Sequence, residues 1–158
     1  MSSRRVVVTG VGALCALGND APSIWAAAQE GRSGVTRTTH FDPKNLSCQI
    51  ASEVHGFDFD EYFGRNRKKL DPCTQFGVVA SDEAVRDAGI EFDKCNADRC
   101  GVIVGSGIGG LYSIEKNHLV MLDKGARRVT PHFIPMLMVN ALAGQISIRH
   151  GLKGPNYV

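Results

Sequence analysis

The chain has 158 residues, the size of one ordinary domain, and its 43% apolar and 22% charged residues are typical of a globular protein. A net charge of +2 argues against a nucleic-acid binder, which usually carries a strongly basic face. No apolar run has the length of a membrane span, and the apolar stretch after Met1 is too short for a signal peptide, so we expect a cytoplasmic protein without membrane contact.

The first part of the chain predicts one strand, one helix and a long irregular segment. Arg5–Thr9 is β-branched and apolar, which predicts a buried strand that ends at Gly10-Val11-Gly12. Asn19-Asp20 then supplies the cap of a helix that ends near Gly31. From Ser33 to about Lys69 the periodicity of apolar residues is poor, and we expect a long segment without regular secondary structure.

Regular structure is predicted again from Asp71 onward. Asp71 as N-cap, Pro72 at the first helical position and Gly89 after the last apolar residue predict a helix. Gly101–Val104 reads as a second strand, and Gly109 to about Leu122 as a second long helix.

The last part of the chain predicts a buried helix and a final strand. After the basic loop Gly125–Arg128, the stretch Met136–Arg149 is apolar on almost every face, which predicts a helix buried on all sides. Asn156–Val158 looks like the start of a strand. Strands that alternate with helices indicate an α/β fold, and a chain that stops as a strand begins is expected to be part of something larger.

The number and spacing of the five cysteines argue against a disulfide framework. Their number is odd, and a chain without a secretory signal is expected to keep reduced thiols. Cys95 and Cys100 form a C-x4-C pair, but no histidine lies near them and no second pair follows at zinc-ribbon spacing. Ordinary buried or reduced thiols are therefore favoured over a metal site.

The stretch Gly105-Ser106-Gly107-Ile108-Gly109-Gly110 fits the dinucleotide pattern G-x-G-x-x-G and follows a predicted strand. A ribose-binding acid could be Asp123, but it lies only 18 residues after Gly105 and leaves too little chain for a crossover helix. Gly10 and Gly12 lack a third glycine at Cys15. Glycines for tight turns are the alternative to a nucleotide site, and both interpretations stay open on the pattern alone.

Five motifs, taken in order, resemble the β-ketoacyl-acyl carrier protein synthases of fatty acid synthesis. They are Arg4-Arg5-Val6-Val7-Val8-Thr9-Gly10-Val11-Gly12, Asp71 to Gln75, Gly105 to Leu111, Pro135 with Val139-Asn140-Ala143-Gly144, and Gly151-Leu152-Lys153-Gly154-Pro155. The resemblance is to the type II condensing enzymes, because Ile108 stands where that branch carries a bulky apolar residue in the glycine loop.

The resemblance implies a thiolase-like fold, a mixed sheet packed on helices, of which residues 1–158 would be the N-terminal portion in a homodimer. It implies an acyltransferase that condenses an acyl thioester with malonyl-acyl carrier protein. The nucleophilic cysteine would follow Val158, so we expect no catalytic residue among the histidines and cysteines of this chain, and no activity from these 158 residues alone. No metal or cofactor is implied, since the phosphopantetheine arm belongs to the acyl carrier protein.

The resemblance also assigns two sets of binding residues. Gly107, Ile108 and Phe133 match positions that line the acyl pocket, Ile108 as a gate and Phe133 across the dimer. Acyl carrier protein docking is expected at two basic clusters, which hold Arg65, Lys68 and Lys69 and, further on, Arg127 and Arg128.

Each of these residues also has an interpretation in which it binds nothing. Ile108 and Phe133 could be ordinary packing residues, and the basic clusters a solvated face. For the whole chain the alternatives are a non-catalytic homologue that resembles a chain-length factor, a truncated homologue and, with less support, a nucleotide-dependent oxidoreductase.

Overall fold

The computed structural model describes residues 4–158; Met1, Ser2 and Ser3, with which the short N-terminal stretch begins, lie outside the described residues. The chain divides into two compact units. The first contains the residues up to Phe57 together with Val79–Ile90, and the second contains Asp58–Val78 together with Glu91–Val158. Within residues 4–158, no helix is long and apolar enough to cross a bilayer.

The first unit contains helix α1, Ala21–Gln29, where the sequence predicts a helix. The Asp20 side chain accepts a hydrogen bond of 2.7 Å from the backbone N–H of Ser23, which satisfies one of the free donors of the first turn. Gly31 has a φ of +68°, a conformation that favours glycine after a helix end. The prediction of this helix and of its cap is confirmed.

A short hairpin interrupts the segment that was expected to be irregular. Strand β1, Val35–Arg37, pairs antiparallel with strand β2, Ile50–Ser52, and Thr36 lies opposite Ala51. Buried Glu53 accepts hydrogen bonds from the hydroxyls of Thr38 and Thr39 and from the Thr39 N–H. Strands of three residues are too short to show an alternating pattern, which is why the sequence did not predict them.

The predicted buried strand at Arg5–Thr9 is wrong. These residues form no strand, and Val6 and Val8 are 91% and 84% exposed. A strand is stabilised by backbone hydrogen bonds to a neighbouring strand, and no strand of the described residues 4–158 pairs with this segment. The β-branched composition supplies the propensity for a strand but not its partner.

The second unit begins with helix α2, Phe59–Phe63, and a 3-10 turn at Gly64–Lys69. The expectation of irregular structure up to Lys69 is wrong here as well, because Asp58 caps α2 by accepting a hydrogen bond of 2.8 Å from the Glu61 N–H. Helix α3, Pro72–Ala88, follows, and its residues contribute to both units. Its bounds confirm the prediction that it begins after Asp71 and ends before Gly89.

Two short parallel strands confirm the two predicted in this part of the sequence. Strand β3, Val102–Ile103, pairs with strand β4, Asn156–Tyr157, with Val102 opposite Asn156. Helix α4, Leu111–Lys124, follows β3. The predicted basic loop after it is a 3-10 turn at Ala126–Arg128.

The predicted single helix Met136–Arg149 is wrong, because the structure has two helices here. Helix α5, Phe133–Leu137, and helix α6, Ala141–His150, are separated by residues 138–140, of which Met138 has an extended ψ of 135°. Nor is the stretch buried on all sides, since Ala143 and Ile146 are buried while Ile148 is 76% exposed. The break leaves the carbonyl of Leu137 free to accept a hydrogen bond from outside the helix, and it accepts one from the Gly110 N–H.

Candidate functional site

The glycine-rich loop Gly105–Gly110 connects β3 to α4. The Gly109 N–H donates a hydrogen bond of 3.0 Å to Ser106 Oγ, and the Gly110 N–H donates one of 3.1 Å to the carbonyl of Leu137 at the end of α5. The loop therefore folds on itself and is fixed to the break between α5 and α6.

The glycines of this loop have different roles. A Cβ on Gly109 would lie 2.8 Å from both the Leu137 carbonyl oxygen and Val139 Cα, and one on Gly110 would lie 2.8 Å from Leu137 Cα and closer still to the Met136 oxygen. Gly109 also has a φ of +78°. A Cβ on Gly105 or Gly107 would have no atom within 4 Å. Only the second half of the loop needs glycine for close packing.

The same geometry argues against the nucleotide interpretation. In a dinucleotide site, the first turn of the helix after the glycines offers free N–H groups to a phosphate. Here the carboxylate of Asp71 occupies that turn, and the Ser113 N–H donates to Asp71 Oδ2 at 2.9 Å. The stretch that could have been a second strand, His118–Asp123, is helical. The loop therefore lacks the arrangement of a pyrophosphate site.

The earlier glycine pair also serves packing, within the first unit. A Cβ on Gly10 or Gly12 would overlap backbone atoms of α3, among them the Ala88 nitrogen at 2.5 Å and the Ala84 nitrogen at 2.6 Å. Between them, the Val11 N–H donates a hydrogen bond of 2.9 Å to Asp87 on the same helix. These glycines allow the chain to lie directly against a helix.

The sequence analysis missed a buried polar network around Asp71. Asp71 is 2% exposed; its Oδ1 accepts from the Cys73 N–H at 2.9 Å, and its Oδ2 accepts from the N–H and the hydroxyl of Ser113 at 2.9 and 2.7 Å. Asn117, one turn further along α4, donates to the Ser113 carbonyl at 2.8 Å and accepts from the Thr130 N–H at 3.2 Å. The available signal was the pair of small polar residues, Ser113 and Asn117, which lie at i and i+4 on one face of α4.

The thiol of Cys73 lies beside this network. Burial raises its pKa to about 11, and the neighbouring Asp71 carboxylate raises it in the same direction, because both disfavour the thiolate. Its Sγ donates a hydrogen bond of 3.3 Å to the Gly109 carbonyl. At neutral pH this thiol is protonated, and it acts as a hydrogen-bond donor rather than as a nucleophile.

The other cysteines add no metal site. All five are free thiols, and Cys48 and Cys95 are exposed. In the part of the chain that the structure describes, no group of three or more histidine, cysteine, aspartate or glutamate side chains could hold a metal ion.

The residues predicted for the acyl pocket lie on two elements that contact each other. Gly107 and Ile108 are exposed at the tip of the glycine loop, and the Ile108 side chain is 59% exposed. Phe133 is half-buried at the first position of α5, the helix whose far end contacts Gly109 and Gly110.

The predicted docking residues lie on two exposed 3-10 turns. Arg65, Lys68 and Lys69 are on the turn before α3, and Arg127 and Arg128 are on the turn after α4. Among the described residues, none of these five forms an ion pair.

Their neighbour Arg67 differs from them. It is paired with Asp60, and its guanidinium lies 5.9 Å from the centre of the Phe59 ring. Gln75 fixes the end of this turn by donating a hydrogen bond of 2.8 Å to the Leu70 carbonyl. The turn is therefore held from both sides while three cations project from it.

Comparisons with known proteins agree on one family. The family model described as "Beta-ketoacyl synthase, N-terminal domain" matches residues 3–158. A 3-oxoacyl-[acyl-carrier-protein] synthase 2 of Vibrio cholerae is 46% identical over 157 residues, which are 99% of this chain and 38% of that protein. The chain thus spans about two fifths of the length of this curated relative.

Solved structures show the same fold. The ishigamide ketosynthase/chain length factor matches with a TM-score of 0.84 and 26% identity over 99% of this chain and 39% of its own. A type II PKS acyl-carrier protein in complex with its ketosynthase matches with a TM-score of 0.68 and 26% identity over 94% of this chain and 40% of the other. The predicted α/β, thiolase-like fold class is confirmed, and the chain belongs to the β-ketoacyl synthase family, whose N-terminal domain it matches.

Proposed function

We propose that the chain is the N-terminal part of a 3-oxoacyl-[acyl-carrier-protein] synthase of fatty acid biosynthesis. The observation that carries the proposal is the 46% identity, across 99% of the chain, to a relative of that name. In the proposed reaction, an acyl thioester and malonyl-acyl carrier protein give a 3-oxoacyl-acyl carrier protein, carbon dioxide and the free thiol of the acyl donor. The nucleophile would lie outside residues 1–158, which would contribute binding surfaces rather than reacting groups.

The first proposed contribution is part of an acyl pocket that contains Gly107, Ile108 and Phe133. An acyl chain is recognised by apolar side chains that line a cavity, and both Ile108 and Phe133 are apolar. The Ile108 side chain is 59% exposed, and a Cβ on the adjacent Gly107 would have no atom within 4 Å, so neither position is tightly packed against the described chain. These features support a gate whose side chain moves aside for a long acyl chain.

The second proposed contribution is docking of an acyl carrier protein. Arg65, Lys68, Lys69, Arg127 and Arg128 are exposed and have no acidic partner within the described chain. Unpaired cations attract an acidic protein and orient it as it approaches. A structural relative is a ketosynthase in complex with an acyl carrier protein, which supports the same kind of partner here.

A charge reversal tests the docking proposal. We expect Arg127→Glu combined with Arg128→Glu to raise the KM for the carrier-bound substrate by about tenfold at low salt, because association is steered by charge. Lys153→Glu is the matched control, since Lys153 is an exposed cation outside both clusters. An unchanged KM in the double variant would exclude Arg127 and Arg128 as part of the docking surface.

We also propose a cytoplasmic homodimer that needs no metal and no cofactor apart from the phosphopantetheine arm of its partner. Support for self-association comes from the exposed apolar side chains of α4, which include Leu111, Leu119 and Leu122 at 53%, 59% and 69% exposure. Sedimentation of the complete protein tests this proposal, and a monomer at micromolar concentration would contradict it.

The function itself is tested by incubating the complete protein with two substrates, a carrier protein that bears an acyl group and a carrier protein that bears a malonyl group. Release of carbon dioxide together with a 3-oxoacyl product is the expected result. A folded protein that binds the carrier protein but makes no product would favour the alternative, a non-catalytic homologue that resembles a chain-length factor. That alternative is kept because one structural relative is a ketosynthase/chain length factor.

A further inference from the structure

One buried carboxylate holds the beginnings of two helices. Asp71 precedes α3 and accepts from the Cys73 N–H in its first turn, and it also accepts from the N–H and the hydroxyl of Ser113 in the first turn of α4. With 2% exposure it is shielded from water. A carboxylate in this position is stabilised by the free N–H groups and by the positive end of each helix.

Helix α4 needs this contact because it cannot supply its own cap. Its N-cap residue is Gly110, which has no side chain. Serine, asparagine or aspartate would be the usual choice, but any Cβ at Gly110 would collide with Met136 and Leu137 of α5. Close packing of α5 therefore removes the local cap, and Asp71 replaces it from a distant part of the sequence.

The segment around Asp71 fixes both sides of Gly110. On one side, Cys73 Sγ donates to the carbonyl of Gly109 at 3.3 Å; on the other, Asp71 accepts both hydrogen bonds from Ser113. The last residues of the glycine loop and the first turn of α4 are thus attached to the start of α3. No other side chain in the described structure caps the first turn of α4.

We propose that Asp71 is a positioning residue for the acyl pocket. By capping α4 it fixes the glycine loop Gly105–Gly110, and the position of that loop determines which acyl chains fit beside Ile108. Asp71 itself touches no substrate. This inference rests on the proposed condensing function, and its test separates the two.

The test compares Asp71→Asn with Asp20→Asn in the complete synthase. Asparagine keeps the size of aspartate but replaces one acceptor oxygen by an NH₂ group, so a donor would face either the donors of Ser113 or the Cys73 N–H. Asp20 is the matched control because it also caps a helix, α1, through the Ser23 N–H. We expect Asp71→Asn to change the ratio of kcat/KM for long and short acyl donors by about threefold or more, and Asp20→Asn to leave the ratio unchanged.

A second readout is independent of catalysis. Hydrogen exchange of the amides of residues 105–113 is expected to become faster in Asp71→Asn and, to a smaller extent, in Ser113→Ala, which loses one of the hydrogen bonds to Asp71. Wild-type exchange in both variants would overturn the inference whatever the chain-length profile.

Ile108→Phe, measured in the same assay, distinguishes the remaining outcomes. If it alters the chain-length ratio while Asp71→Asn does not, the positioning role is wrong and the pocket stands. If Ile108→Phe has no effect, the proposed pocket is wrong, and the role of Asp71 as a positioning residue for that pocket is overturned with it.

Discussion

Replacing Gly110 by alanine should destabilise the protein strongly for a change of one methyl group. The Gly110 backbone, with φ −80° and ψ 56°, lies outside the left-handed region that penalises a side chain, so the effect comes from space alone. The new Cβ would lie 2.8 Å from Leu137 Cα and closer to the Met136 carbonyl oxygen, and both neighbours are backbone atoms that cannot rotate away. Forced overpacking of this kind costs about 1–3 kcal/mol.

Gly105→Ala is the matched control in the same loop, because its Cβ would have no atom within 4 Å. The free energy of unfolding is measured by urea denaturation of the complete protein with each substitution. We expect a loss of about 1–3 kcal/mol for Gly110→Ala and less than about 0.5 kcal/mol for Gly105→Ala. Equal losses in the two variants would refute the assignment of close packing to Gly110 and α5.

Two further predictions follow from the titrating groups. The hydrogen bond from Thr38, which has the largest effect, and that from Thr39 lower the pKa of Glu53 to about 2. The stability that ionised Glu53 contributes to the hairpin is therefore complete above its ordinary pKa of 4.5 and is lost as the pH falls toward 2. The Thr39 amide, followed by NMR, should therefore lose protection over this range, and in Glu53→Gln this pH dependence should disappear. Cys73, with a pKa of about 11, should be alkylated by iodoacetamide at pH 8 much more slowly than exposed Cys48 and Cys95, as peptide mapping would show; equal rates would contradict its burial beside Asp71.

The sequence predicted those elements whose stabilising contacts are local. Asp20 and Asp71 cap the helices that follow them, and the glycines after those helices end them, so α1 and α3 were predicted with their bounds. The predicted strand at Arg5–Thr9 is wrong for the opposite reason, since a strand depends on a partner strand that its own residues do not encode.

The break between α5 and α6 could not be predicted from the residues of that segment either. Met136–Arg149 has a composition compatible with one helix, and the interruption occurs where the Leu137 carbonyl accepts the Gly110 N–H from a distant loop. The Asp71 network escaped prediction because its two halves are 42 residues apart. The resemblance of five motifs identified the family correctly, but it contains no information on which of the loop glycines is crowded.

The central claim is that the loop Gly105–Gly110 borders an acyl chain rather than a nucleotide, and the product spectrum of Ile108→Phe in the complete synthase tests it most directly. The larger ring fills space that the isoleucine leaves open. Mass spectrometry of the carrier-bound products should show shorter acyl chains than the wild type makes from the same donors. A chain-length distribution identical to that of the wild type, from a variant that still condenses short donors, would contradict the claim.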